Sequence, residues 1–219
     1  MHAEDAASAG VEKRWTLQVF ARAPVAGRVK TRLIAELGPQ GAADLHCRLV
    51  LAALRRGCAA RGARVELWVA GDPVDPFVQD CARRFRVPVL EQHGADLGER
   101  MVNAFSHAFA TGARPGRCVL IGSDCPAQTP DDLQQAAAAL QTHDAVLQPS
   151  RDGGYVLIGL TRPQPHLFDA IEWGGPSVLR QTLQRAASLH LALRLLRELP
   201  DLDNAEDFRH ALAQRWLSQ

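Results

Sequence analysis

The chain has no apolar run approaching the roughly 20 residues needed to cross a bilayer, so no membrane span is expected. Its five cysteines, Cys47, Cys58, Cys81, Cys118 and Cys125, contain no C-x-x-C pair. Neither a structural zinc site nor a disulfide framework is therefore indicated, and the set suits a reducing cytosol. Cys125 has no flanking signature of a nucleophile. The histidines are scattered without H-x-x-x-H pairing, which argues against a histidine metal site. Charge excess is lacking too: 25 Lys and Arg balance 24 Asp and Glu, for a net charge of +1. A dedicated nucleic-acid binder would normally carry a strong basic excess, so no nucleic-acid partner is expected. Two familiar phosphate loops are absent. Gly27-Arg28-Val29-Lys30-Thr31 lacks the glycine next to lysine that a Walker A loop needs, and no G-x-G-x-x-G occurs.

What remains is an ordinary globular composition, 47% hydrophobic and 22% charged, long enough for one large domain. Residues 1–14 are polar and charged without an apolar signal core, and are expected to be a disordered tail on a cytoplasmic protein. From Trp15 on, strand-like and helical patterns alternate. Strands are expected at Trp15–Phe20, Val65–Ala70, Val87–Leu90, Arg117–Ile121, Ala145–Gln148, Tyr155–Leu160 and Leu191–Leu196. Helices are expected at Gln40–Arg56, Asp75–Phe85, Gly98–Ala110, Pro130–Gln141, Ser177–Ala187 and Ala205–Leu217. Thr129 suits an N-cap, with Pro130 at N1 and Asp131 and Asp132 favouring the positive helix end. This alternation implies an α/β domain over residues 15–219, with a mixed, mostly parallel sheet covered on both faces. Ala145–Gln148 and Tyr155–Leu160 have no helix between them. One of the two must run antiparallel or lie in a separate ribbon.

The most informative stretch is Phe20–Leu33, a Pro- and Gly-bent loop following the first strand. It carries Arg22, Arg28, Lys30 and Arg32, with a hydroxyl at Thr31. A donor-rich cationic loop at the carboxyl end of a first strand is where α/β proteins hold nucleotide phosphates, and Gly27 would let backbone come close to a ligand. The alternative is a solvated basic turn. Gly122-Ser123-Asp124-Cys125-Pro126 ends another apolar strand and should present Asp124 to the same crevice. Mg²⁺ is commonly held by one or two carboxylates plus substrate phosphates, a role open to Asp124, although Asp also suits a turn ahead of Pro126.

Asp201-Leu202-Asp203 forms an extended D-x-D whose carboxylates would point to one side, while Asp203 could equally cap the last helix. Arg151-Asp152-Gly153-Gly154-Tyr155 joins the two strands that lack a helix. A hairpin needs only Asp152-Gly153, so the second glycine leaves room for a close backbone approach to a ligand, with Tyr155, the one tyrosine, packing or hydrogen-bonding beside it. Asp96 and Gly98 open a helix whose N–H groups could meet a base, sugar or phosphate, unless Asp96 is only a cap.

In this order the motifs resemble those of a bacterial glycosyltransferase-like family. Phe20–Leu33 is similar to its F-x-K-x-P-x-x-G-x-x-K-T-R-L opening, and Gln92–Met101 to its Q-x-x-G-D-L-G-x-R-M segment. Gly122–Pro126 is similar to G-x-D-C-P, Pro149–Leu160 to P-x-x-D-G-G-Y-x-L-I-G-L, and Asp201–Phe208 to D-x-D-x-x-x-D-L. Some members are named for arsenosugar biosynthesis. The family sits in the nucleotide-diphospho-sugar transferase (GT-A) superfamily, near the guanylyltransferases acting on 2-phospholactate and the molybdenum cofactor. Departures are Arg22 where Lys is usual, Asn204 where Thr is usual, and Ala95 ahead of Asp96 where Gly is common.

The resemblance implies a GT-A-like fold and a nucleotide sugar or nucleoside triphosphate held with Mg²⁺ or Mn²⁺ by Asp124, Asp201 and Asp203. Arg22, Gly27, Arg28, Lys30, Thr31, Arg32, Asp96, Gly98, Asp152, Gly153, Gly154 and Tyr155 would bind the nucleotide. Lys30 and Asp124 would carry catalysis. Glycosyl transfer to a small-molecule acceptor is the leading expectation. The alternatives are nucleotidyl transfer releasing pyrophosphate and a nucleotide-binding module without turnover.

Overall fold

The computed structural model describes residues 15–111 and 116–217; the expected disordered tail, 1–14, lies outside the described residues. At its centre runs β1 (Trp15–Arg22), buried along every residue but the last. A strand covered on both faces is largely apolar, and the buried Gln18 of β1 donates from Nε2 to the Ala104 carbonyl at 2.8 Å. Leu17, Val19 and Ala21 join one core layer and Phe20 joins the other. β1 pairs in parallel with β2 (Ala63–Ala70) and with β4 (Cys118–Gly122), while β3 (Val89–Glu91) lies parallel beyond β2. On the other side of β4, β6 (Tyr155–Leu160) runs antiparallel between β4 and β5 (Ala145–Pro149), and β7 (Leu193–Leu195) is parallel to β5.

The result is a 7-stranded mixed sheet of order β3-β2-β1-β4-β6-β5-β7. The connection too short for a parallel crossover is thus resolved by β6 turning back inside the sheet.

α1 (Ile34–Ala59), α2 (Pro76–Phe85) and α4 (Pro130–Ala139) cover one face through Ala53, Leu54, Val78, Cys81, Leu133 and Ala136. α3 (Leu97–Thr111) and α5 (Val178–Ser188) cover the other, around Met101, Phe105 and Ala186. A fully buried Phe105 or Leu67 contributes about 1.5–3 kcal/mol. α6 (Ala205–Ala213) packs Ala211 against Leu45 and Leu49 of α1, with Leu202 and Leu33 in the same cluster.

The helix starts follow the expected chemistry. Thr129 accepts from the Asp132 N–H and Asp132 reciprocates, with Pro130 in the first turn. Asn204 does the same with Asp207, so the last helix is capped by Asn204 rather than by Asp203. That leaves the Asp203 carboxylate available for other contacts. α1 begins earlier than expected, at Ile34, but breaks at Gly38 (φ 70°, ψ 167°) just before Pro39, near the expected start at Gln40.

The order of strands fixes where a ligand can enter. From β1 the chain first builds β2 and β3 on one side, then returns to lay β4 on the other. The carboxyl ends of β1 and β4, at Arg22 and Gly122, therefore bound a topological switch point, the usual ligand crevice of an open α/β sheet.

Candidate functional site

The loop after β1 is anchored by Val29 and Leu33, both buried. Between them Lys30 adopts a left-handed conformation (φ 47°, ψ 42°). For a residue with a Cβ this costs about 1–2 kcal/mol, and such strain persists where the surroundings over-determine it. Here the side chain is the determinant. Its Nζ lies 3.1 Å from Asp124 Oδ2 and 3.1 Å from Asp203 Oδ1, and it donates to the Leu202 carbonyl. Burial opposes the charge of Lys30, whose side chain is only 4% exposed, yet the two carboxylates outweigh burial and hold its pKa above the ordinary lysine value.

Asp124 is oriented by its neighbours: Ser123 Oγ donates to its Oδ1 at 3.2 Å, and its carbonyl accepts from Leu202 N–H at 2.9 Å. Arg32 Nη1 reaches Asp203 Oδ2 at 3.6 Å. Three separate chain segments thus meet on one ammonium group.

Because both carboxylate oxygens touch one nitrogen, they are at most about 6 Å apart, a span that one divalent cation and its water can bridge. Both side chains remain more than 40% exposed on their outer sides. Among the described residues no group of three or more His, Cys, Asp or Glu side chains is arranged to hold a metal ion. With two carboxylates converging here, a Mg²⁺ or Mn²⁺ ion would have to take its remaining oxygens from substrate and water.

The segment after β7 brings in the remaining carboxylates. It is tied down by Leu199 N–H to the Pro149 carbonyl (3.0 Å), by Cys125 Sγ to the Pro200 carbonyl (3.4 Å) and by a two-pronged pair from Arg197. Arg197 Nε and Nη2 each lie 2.7 Å from an oxygen of Asp132, whose side chain is buried at the start of α4. Asp201 sits beyond Lys30's reach. Burial, reinforced by the Asp152 and Asp203 carboxylates, pushes its pKa up to about 6. Cys125, buried beside this segment, has a thiol pushed up to about 12 by burial and is no nucleophile at neutral pH.

Two cavities meet at this junction. The first, about 470 Å³, is lined by Arg22, Arg28, Lys30, Arg32, His46 and Arg100 among others, with Thr31 and Gln92 beside them. The second, about 230 Å³, is lined by Asp124, Asp152, Asp201, Asp203, Tyr155 and Trp173 among others. Leu97, Gly122, Asp124 and Asp203 belong to both.

The structure gathers Arg22, Arg28, Lys30, Thr31, Arg32, Asp124 and Asp203 around the first cavity, and Asp152, Gly154, Tyr155 and Asp201 around the second. Gly27, Asp96, Gly98 and Gly153 lie outside the lining of either. Asp96 caps α3 through the Glu99 N–H at 2.9 Å. Gly98 lies under Trp173, where a Cβ would stand 2.8 Å from the indole nitrogen. Gly153 has φ +89°, and a Cβ there would fall 2.2 Å from the Pro176 carbonyl oxygen. The close approach expected at the double glycine is thus made by the protein's own chain. Gly154 N–H and Ser150 Oγ hold Asp152 Oδ1 in that turn.

Sequence reasoning missed His46, Gln92, Arg100 and Trp173. His46 is buried in α1 with Nε2 3.0 Å from the Arg22 carbonyl, and burial lowers its pKa. As one polar residue on an apolar helix face, it gave no signal. Gln92 Nε2 bonds the carbonyls of Ala21 (3.0 Å) and Trp68 (2.9 Å), pinning the end of β1. Trp173-Gly174-Gly175 did carry a signal, an aromatic beside paired glycines in a loop.

This architecture is the nucleotide-diphospho-sugar transferase fold. A protein from Desulfovibrio desulfuricans G20, provisionally assigned as a nucleotide-diphospho-sugar transferase, is 32% identical over 92% of this chain and 87% of its own, with a TM-score of 0.82. The synthase of 4-diphosphocytidyl-2C-methyl-D-erythritol from Anaerococcus prevotii has the same fold (TM-score 0.63, 12% identity, 93% and 96% covered). So does glucosyl-3-phosphoglycerate synthase from Mycobacterium tuberculosis, solved with Mn²⁺, uridine diphosphate and glucosyl-3-phosphoglycerate (TM-score 0.54, 11% identity, 94% and 78% covered). The chain belongs to the family described as uncharacterized protein conserved in bacteria (DUF2064), whose model matches residues 53–175. No curated protein matches it significantly.

Proposed function

We propose that the protein is a metal-dependent glycosyltransferase that takes a nucleotide-sugar donor and a small-molecule acceptor. One observation carries this reading: Lys30 joins Asp124 and Asp203 at the switch point, beside a cavity walled by cations. Arg22, Arg28, Arg32 and Arg100 are suited to bind a diphosphate there, and Lys30 to neutralise the charge that grows as it departs. Asp124 and Asp203 would hold Mg²⁺ or Mn²⁺, which when bound supplies further neutralisation of phosphate oxygens. In the transfer, an acceptor hydroxyl oxygen bonds to the anomeric carbon. The bond from that carbon to phosphate oxygen breaks, the nucleoside diphosphate leaves with the electron pair, and the hydroxyl proton passes to a cleft carboxylate.

Nucleotidyl transfer is the second reading, favoured by the number of cations around the first cavity, which would also suit a triphosphate. A binding module without turnover fits less well, since both acidic and basic halves of the clamp are present.

The test is a panel of nucleotide sugars and nucleoside triphosphates, with and without Mg²⁺, followed by product analysis. A ligand at about 100 times its Kd stabilises by roughly 2.7 kcal/mol. Glycosyl transfer predicts stabilisation by a nucleotide sugar and release of nucleoside diphosphate. Release of pyrophosphate from a triphosphate would establish the second reading instead.

A further inference from the structure

The two cavities are opposite in charge. Cationic side chains dominate the first, whereas the second is lined by Asp124, Asp152, Asp201 and Asp203 and, among the described residues, by no Arg, Lys or His. The second cavity is also walled by the indole of Trp173, and that indole is held from two sides. Phe168 backs it at 6.4 Å between ring centroids, and the bare backbone of Gly98 lies beneath it. Asp152, also in the lining, is fixed by Gly154 N–H and Ser150 Oγ.

A ligand here would meet an aromatic side chain and several hydrogen-bond acceptors. Hydroxyl groups donate to carboxylates, and the C–H face of a saturated ring packs against an indole. An anionic group would meet the carboxylates of Asp152 and Asp201, which is unfavourable, while Asp124 and Asp203 already share the Lys30 ammonium. A divalent cation on Asp124 and Asp203 would leave Asp152 and Asp201 uncompensated.

We propose that the second cavity is an acceptor subsite for an uncharged or cationic polyhydroxylated ring, with Trp173 as its platform, and that it rejects phosphorylated or carboxylated acceptors. Calling its occupant the acceptor rests on the glycosyltransferase reading; the charge selection itself rests on the cavity lining alone.

The experiment is saturation-transfer NMR on the full chain with uridine diphosphate and Mg²⁺ present. Its probes are the methyl glycosides of glucose, galactose and mannose, their 2-amino sugars, and their 6-phosphates. The expected result is that at least one neutral or amino sugar binds about ten-fold or more tighter than its 6-phosphate. Trp173→Ala should lose that binding. Should this variant unfold, the doubly substituted Asp152→Asn, Asp201→Asn protein gives the independent readout: its preference against the 6-phosphate should shrink severalfold. A 6-phosphate binding as tightly as the neutral sugar, or no sugar of any charge binding, overturns the proposal. Failure of the glycosyltransferase reading is seen separately, as absent nucleotide stabilisation or pyrophosphate release, and leaves the charge preference measurable.

Discussion

Lys30 Nζ and Asp203 Oδ1 lie 3.1 Å apart although 173 positions separate the residues in sequence. Nothing local requires that meeting. Lys30 reaches it from a left-handed backbone, so the strain and the contact belong to one arrangement. Replacing Lys30 by Ala removes the shared cation and leaves two half-exposed carboxylates facing each other, at an expected cost of about 1–2 kcal/mol. Lys30→Gly removes the same cation but relieves the backbone, and should be about 1 kcal/mol more stable than Lys30→Ala. Equilibrium urea unfolding of the two variants measures the difference. Equal stabilities would show that the left-handed turn carries no strain.

The pair Arg197–Asp132 fastens the segment that carries Asp201 and Asp203. Burial pushes the Asp132 carboxyl up, but the Arg197 and Thr129 hydrogen bonds outweigh it and hold the pKa below the ordinary 3.8. A carboxyl with a lowered folded pKa contributes stability that is full above the unfolded value and is lost as pH falls through the folded one. Because Arg197 is itself half-exposed and its charge screened, Arg197→Leu should cost about 1–2 kcal/mol at pH 7. The deficit should shrink as pH drops below 3.8. Melting curves from pH 7 to pH 3 check this, and a deficit independent of pH would mean that the loss is one of packing.

The double glycine separates into two roles. Gly153→Ala places a Cβ against the Pro176 carbonyl at positive φ, and should cost about 2–4 kcal/mol. Gly154→Ala meets only side-chain oxygens of Asp152 and Ser150 at 3.2 Å and should cost about 1 kcal/mol or less. Thermal unfolding of both variants distinguishes them. The reverse ranking would contradict the packing of Pro176 on this turn.

Much of the fold was legible because its signals are local. Alternating apolar runs and caps at Thr129 and Pro130 set the elements, and the missing helix before Tyr155 left either an antiparallel strand or a separate ribbon, of which the structure has the first. The cationic loop and Asp124 were legible for the same reason, each following a recognisable strand. What the sequence could not give was how the groups pair. Lys30 was expected, with the arginines, to meet phosphates; that it also pairs with Asp124 and Asp203, a contact set by the order of strands, had no local signal. Gly98 and Gly153 marked places where backbone could come close to a ligand; the groups that do come close, Trp173 and Pro176, belong to a distant loop. His46 lay hidden because a buried polar residue on an apolar helix face looks like any core position.

On the function proposed, Asp124, with Asp203, seats a divalent cation against nucleotide phosphates held by the loop of Lys30. Calorimetric titration of uridine diphosphate and the other nucleoside diphosphates, with and without Mg²⁺, tests it most directly in the native chain and in Asp124→Asn. The native chain should bind at least one of them about ten-fold tighter with Mg²⁺, or about 1.4 kcal/mol. Asp124→Asn should remain folded and bind that nucleotide with the same affinity whether or not Mg²⁺ is present. Full retention of the Mg²⁺ effect in folded Asp124→Asn would contradict the account.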